Sequence, residues 1–284
     1  MNDKEKFKEI LLQTFQAFDQ FCKKNDLTYF GGYGTVLGAI RHKGLIPWDD
    51  DIDVVMPRKD YNKFLSLKDK VEGDYEIVNR DNEGYYLNFA KFQNTKTTIL
   101  PSTELPFVLG VFVDVFAIDE NDGHIDKIRD KLEEYEQQLL IYLKSVRNHS
   151  FSYLKRCLIN HNYKVAFKTI SNICYYQFLK NKSLKKIQKL EHEFQQIRGS
   201  YYCRYAPIVK ECLIFPKEWF GEGIRVPYEN TTMIIPKDFD PYLRTIYGDY
   251  MQLPPVEKRV TRHFAAYMNL EQRLSYDEIL KEIE

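Results

Sequence analysis

The segment Pro47-Trp48-Asp49-Asp50-Asp51-Ile52-Asp53-Val54-Val55-Met56 constrains this chain more than any other. Its aspartates run straight into an apolar stretch of strand character. Side chains alternate across a strand, so Asp51 and Asp53 share one face while Ile52, Val54 and Met56 take the other. Adjacent carboxylates repel, and the arrangement makes sense when a hard dication sits between them; oxygen donors of this kind suit Mg²⁺ or Mn²⁺. A solvated acidic turn is the plainer alternative, but a buried strand follows at once. Asp49, Asp51, Asp53 and Asp60 also occupy positions 1, 3, 5 and 12 of an EF-hand loop. Val54 stands where that loop requires glycine and Pro57 where it requires a ligand, which excludes it.

The flanking sequence reads as alternating helices and strands. Residues 3–24 place Phe7, Ile10, Leu11, Phe15, Phe18 and Cys22 at helical spacing, which predicts a packing helix. A short strand at 27–30 enters Gly31-Gly32-Tyr33-Gly34, and a short helix follows from Thr35 to His42. The acidic strand spans 51–56, and Pro57 suits the first turn of a helix over 58–67. Further strands are expected at 75–78, 87–93, 97–100 and 111–117. From 125 to 199 the pattern turns helical, with three helices punctuated near Asn148–Ser150 and Asn181–Ser183. Two more helices are expected at 240–247 and 275–282. The organisation is thus a core over 1–124, a basic helical subdomain over 125–199, and a C-terminal segment over 200–284 that completes the site.

A phosphate-handling site needs backbone N–H donors as well as metal, and a glycine-preceded helix N-terminus supplies them. Gly31 to Thr35 fits, with Gly34 and Thr35 as binding candidates; no Gly-Lys-Ser/Thr follows, so it is not a Walker loop. A third carboxylate would ligate metal or accept the acceptor hydroxyl's proton. Asp114, interrupting Val111-Phe112-Val113-Asp114-Val115-Phe116, is that candidate, because a bare charge there is costly to bury. Asp119 is read as capping a turn at the strand's end. Lys91 shares a strand face with Leu87 and Phe89, so its ammonium must reach an anion, either phosphate or one of these carboxylates. Arg41 and His42 either face the same pocket or answer the negative end of their helix. Trp48 and Asp49 are further substrate-binding candidates beside the acidic strand.

The 41 basic and 41 acidic residues cancel, so any electrostatic preference is local. Between Lys144 and Leu190 there are eleven Lys or Arg and no Asp or Glu, interleaved with aromatic and aliphatic residues. That segment reads as a solvated face, or as a surface for an anionic lipid-linked acceptor and the inner membrane leaflet. Nucleic acid is the weaker reading, because no recognised module accompanies the charge. Five scattered cysteines without a Cys-x-x-Cys pair fit reduced thiols better than a disulfide framework or a zinc knuckle. No signal-peptide core opens the sequence, and the longest apolar stretch, Phe107 to Val113, is too short to cross a bilayer. A cytoplasmic protein is expected.

The string Gly34-Thr35-Val36-Leu37-Gly38-Ala39-Ile40-Arg41-His42, followed by Ile46-Pro47-Trp48-Asp49-Asp50-Asp51-Ile52-Asp53, resembles the signature of LicD family transferases, which are related to fukutin-type enzymes. The resemblance continues in Phe89-Ala90-Lys91, Val113-Asp114-Val115-Phe116, Tyr247-Gly248-Asp249-Tyr250-Met251, Leu253-Pro254-Pro255, Glu257-Lys258-Arg259 and His263. Where the family often carries paired histidines, this chain has Arg262-His263. The resemblance implies an α+β fold with a nucleotidyltransferase-like mixed sheet core and a helical insertion. It implies Mg²⁺ or Mn²⁺ on Asp51, Asp53 and Asp114. It further implies transfer of phosphocholine, or of glycerol or ribitol phosphate, from a CDP-linked donor to a hydroxyl of a cell-surface glycan or teichoic acid precursor. Two alternatives stay open: a nucleotidyltransferase using a triphosphate, and a non-catalytic membrane-associated glycan-binding protein.

Overall fold

In the computed structural model the chain folds as a mixed α+β protein, and residues 2–147, 158–205, 213–261 and 265–283 are described. Strands β1 (Phe30–Gly31), β2 (Asp53–Pro57), β3 (Tyr75–Val78), β4 (Ala90–Asn94) and β6 (Phe112–Asn121) form a sheet in the order β1-β2-β6-β4-β3. Only the β2–β6 pair on this path is parallel. The parallel pairing requires a crossover, which the intervening helix and strands supply.

Helix α1 (Asp3–Lys24) opens with a capping box, in which the Asn2 side chain accepts from Glu5 N–H and Glu5 reaches back. Its buried face sets Phe15, Phe18 and Phe21 against Tyr29, Phe64 and Phe92, with ring centroids 5.0–6.4 Å apart. Each such ring removes enough apolar surface from water to stabilise the fold by about 1.5–3 kcal/mol. Helix α2 (Tyr33–Arg41) follows β1, and α3 (Arg58–Ser66) follows β2, packing on β2 and β6. On α2, a Cβ at Gly38 would meet the Gly44 carbonyl oxygen at 2.4 Å, so only glycine lets the following loop fold back onto the helix.

Strand β6 has ten residues and outlasts its partners. Its far end pairs antiparallel with β7 (Tyr201–Cys203), with Asn121 opposite Tyr201, and β7 pairs with β8 (Ile214–Pro216). Between those two opposed residues runs a helical excursion. Helices α4 (Arg129–Val146) and α5 (Tyr163–Gln195) lie antiparallel, as the links Lys131–Glu193, Lys186–Glu134 and Gln177–Ser145 require. They enclose Tyr135, Tyr142, Ile187, Leu190 and Phe194. Tyr142 Oη donates to the Tyr85 carbonyl at 2.8 Å, and Arg80 reaches both carboxylate oxygens of Glu191 at 3.1 and 2.9 Å, anchoring the pair to the core.

The C-terminal part adds a hairpin of β9 (Ile224–Tyr228) and β10 (Thr231–Ile235), then α6 (Phe239–Tyr247) against α2. Strand β11 (Tyr267–Asn269) pairs with β5 (Thr98–Leu100), and α7 (Tyr276–Ile283) follows.

Four expectations need correction. Asn181–Ser183 breaks nothing: α5 runs through it for 33 residues, because Ser183 is buried between the helices and its Oγ donates to the Gln138 carbonyl at 2.8 Å. The strand expected from 87 begins at Ala90, and the one expected over 111–117 extends to Asn121. Asp119 caps no turn; it lies buried within β6, accepting Nε and Nη2 of Arg58 at 2.8 and 2.7 Å. The break expected near Asn148–Ser150 lies outside the described residues.

Candidate active site

The parallel register of β2 and β6 sets Asp53 directly opposite Asp114. On the other side of β6, Asp114 stands opposite Lys91 of β4. Asp51 precedes the strand proper, but Ile52 C=O accepts the Asp114 N–H at 2.9 Å, so the acidic segment already runs alongside β6 there. Carboxylate oxygens of Asp51, Asp53 and Asp114 lie within 4.8 Å of one another. Asp49, Asp50 and Asp51 form a second, less buried group within the same limit.

The glycine-rich loop holds this acid cluster in place. Gly32 N–H donates to the Asp53 carbonyl at 2.9 Å, and Thr35 Oγ1 accepts the Asp53 N–H at 2.8 Å, so both backbone groups of Asp53 are fixed by one turn. Tyr33 N–H donates to Tyr242 Oη at 3.1 Å, and the amides of Thr35 and Val36 donate to the Gly32 carbonyl. Most of the loop's amides are therefore taken up inside the fold. A Cβ on Gly34 would lie 3.0 Å from Asp49 Oδ2, so the glycine makes room for that carboxylate.

Lys91 is buried and ion-pairs with Asp114, its ammonium 3.3 Å from the Phe112 ring centroid and 5.2 Å from that of Phe89. Of the two anions expected for Lys91, the carboxylate is the one it meets here. Burial first, and then Asp53, Asp49, Asp114 and Asp50, push the Asp51 carboxyl well above the ordinary carboxylate range. Burial and Asp114 also raise Asp53, against the opposing charges of Arg204 and Lys91.

Arg204, just past β7, was not legible as a site residue. Its guanidinium carbon lies 3.5 Å from the Phe116 ring centroid and 5.5 Å from that of Tyr33. Nothing in the local sequence marks it, because its position depends on the return of β7 to β6. Tyr33, Tyr242 and Tyr247 are raised by burial, and each also feels the Asp53 charge.

Arg41, His42 and Trp48 lie together. Arg41 Nη1 donates to the carbonyls of Tyr250 and Gln252 at 2.7 and 3.4 Å, and its Nε donates to His42 Nε2 at 2.9 Å. Burial and the Arg41 charge hold His42 below the ordinary imidazole range. Trp48 lies edge-on to His42 at 5.8 Å, with Arg259 5.5 Å from its ring centroid. His263 lies outside the described residues.

The donor chemistry of the cluster fits a divalent metal. All three groups offer hard oxygen ligands, and burial together with their crowding raises two of them, a penalty that a dication would relieve.

Residues 26–153 match the LicD/FKTN/FKRP nucleotidyltransferase domain, a stretch that contains the glycine loop, the three aspartates and Lys91. The chain carries a LicD family domain. Similarity extends beyond that domain: the lipopolysaccharide cholinephosphotransferase LicD of Haemophilus influenzae is 27% identical over 263 residues, covering 89% of this chain and 93% of that protein. Two other relatives share short stretches only. An uncharacterised protein of Rickettsia typhi is 39% identical over 57 residues, 20% of this chain and 18% of that protein. The mannosyltransferase regulator 4 of Saccharomyces cerevisiae is 30% identical over 81 residues, 26% of this chain and 7% of that protein.

Proposed function

We propose that this LicD-domain protein transfers phosphocholine, or a related phospho-alcohol such as glycerol or ribitol phosphate, from a CDP-linked donor to a hydroxyl of a cell-surface glycan. The observation that carries this reading is the juxtaposition of Asp51, Asp53 and Asp114 within a chain aligned over most of its length with a lipopolysaccharide cholinephosphotransferase. In this proposal residues 1–124 are the catalytic core, 125–199 an accessory helical unit, and 200–284 a segment that closes the site with Arg204 and the tyrosines.

Asp51 and Asp53, with Asp114, would hold Mg²⁺ or Mn²⁺, which when bound supplies neutralisation of phosphate charge. The chain's own groups then have defined tasks. Thr35 and Gly32 fix the backbone of Asp53, so its carboxylate keeps one position during turnover. Asp114 accepts the proton of the attacking hydroxyl or stays a ligand, and the Lys91 ammonium beside it holds it in place by an ion pair. Arg204 offers fixed positive charge near Asp53, where a phosphate gathers negative charge in phosphoryl transfer.

The test is CMP release from CDP-choline, CDP-glycerol and CDP-ribitol, with and without Mg²⁺ or Mn²⁺, in the presence of a cell-glycan extract. Release with one donor, dependent on metal and lost in Asp51→Ala, is the expected result. Silence with every donor, or pyrophosphate released from a nucleoside triphosphate, would overturn it in favour of a binding protein or a nucleotidyltransferase.

A further inference from the structure

The outward face of α5 carries a run of exposed apolar side chains. Tyr163, Phe167, Ile170, Cys174 and Phe178 follow the spacing i, i+4, i+7, i+11, i+15, which puts them in one stripe along roughly 22 Å of helix. All five are exposed, Phe167 and Phe178 to 75% and 83%. Of the buried residues of the same helix, Ser183, Ile187, Leu190 and Phe194 lie on the opposite side, and Ala166 lies at the edge of the stripe. By the same periodicity exposed Lys164, Lys168 and Lys182 border the stripe along one edge, and exposed Lys185 continues it.

We infer that this stripe docks the protein onto an anionic phospholipid bilayer, the aromatic side chains entering the interface and the lysines meeting lipid phosphates. Two observations select a lipid surface over a second copy of the chain. The sequence from 144 to 190 holds eleven Lys or Arg and no Asp or Glu, so a two-fold pairing of this face would set lysine against lysine. Rings beside lysines on one helix face are also the composition of helices that lie in the plane of a membrane interface, where apolar burial and attraction to anionic lipid add. No helix among the described residues is long and apolar enough to cross the membrane, so contact is at the surface. The inference extends the proposed function, since a lipid-linked glycan is met at a bilayer, but its test needs no turnover.

The experiment is flotation of the full chain with vesicles of phosphatidylcholine alone and of phosphatidylcholine mixed with phosphatidylglycerol, at low and high salt. Wild type is expected to float with the anionic vesicles and to be released by salt. Phe167→Ser combined with Phe178→Ser removes two exposed rings, so the thermal midpoint should stay the same while partitioning falls at least about tenfold. Lys164→Glu with Lys168→Glu and Lys182→Glu should fall likewise and lose the salt dependence. Failure of wild type to float, or flotation of the Phe variant like wild type, would overturn the inference. So would a dimer in solution that the Phe variant dissociates while vesicles are ignored, which would name a second copy as the occupant.

Discussion

At the residue scale the acidic cluster trades stability for function. Asp51 and Asp53 have folded-state pKa values raised above the unfolded value of about 4. The native state therefore binds more protons than the unfolded state, and without metal its stability should fall as pH rises above that value. Thermal melts in EDTA should show a falling midpoint between pH 5 and pH 8, and Mg²⁺ or Mn²⁺ should flatten the slope. Asp53→Asn removes one crowded charge: its metal-free midpoint should exceed that of wild type, while CMP release falls by at least about a hundredfold. A midpoint that rises with pH would refute the crowding argument.

Lys91 poses the opposite case. Lys91→Met leaves Asp114 without its ammonium and should cost about 3–5 kcal/mol in urea unfolding, whereas Lys91→Met with Asp114→Asn should recover much of that. Both partners were singled out in the sequence, since each is a charge inside an apolar run. The sequence left the partner of Lys91 open between phosphate and one of the carboxylates; that it is Asp114 follows from the β4–β6 register, which distant packing sets. Arg204 shows the limit from the other side: an arginine after a short strand carries no local signal, and only the fold brings it to Phe116 and Tyr33.

At the scale of elements, the sequence pattern located α1 and β3 to the residue and the other core helices within two or three positions; in α1 the reason is one buried and one exposed face. It failed where tertiary hydrogen bonds decide. Asn181-Lys182-Ser183 has the composition of a break, yet the Ser183 hydroxyl finds the Gln138 carbonyl and the helix continues. It failed again at β7 to β11, whose short runs gain strand character only from partners far along the chain. The α4–α5 pair gives a prediction of its own. Glu191→Gln leaves the Arg80 guanidinium half-answered and should destabilise the protein by about 1–3 kcal/mol, read as a lower urea midpoint. Hydrogen exchange in that variant should rise first in α4 and α5; a uniform rise would mean that the pair does not open on its own.

At the scale of the whole molecule, catalytic candidates come from widely separated stretches: the glycine loop with Tyr33 and the acidic strand early, Asp114 in the sheet's centre, and Arg204, Tyr242 and Tyr247 after the helical excursion. Tyr242 Oη, accepting the Tyr33 N–H, ties the last part of this set to the first. Tyr242→Phe strands that amide and should cost about 1–3 kcal/mol while also lowering donor affinity. Unchanged affinity together with lost stability would confine Tyr242 to a structural role.

The excursion leaves the sheet at Asn121 and returns at Tyr201, two residues that face each other across one antiparallel pair. Its stems are therefore clasped as the ends of a hairpin are, whatever lies between them. Lengthening a loop whose ends are already joined adds little entropy cost. This makes the position a natural graft point: the helical pair can be exchanged for another module, or cut back to a turn, without altering the strand register that aligns Asp53 with Asp114. A replacement has to answer the two anchors of the pair, with an acid for Arg80 and a donor for the Tyr85 carbonyl. Acceptor and surface preference can then evolve by swapping cargo at the far end of a strand whose near end keeps the chemistry constant.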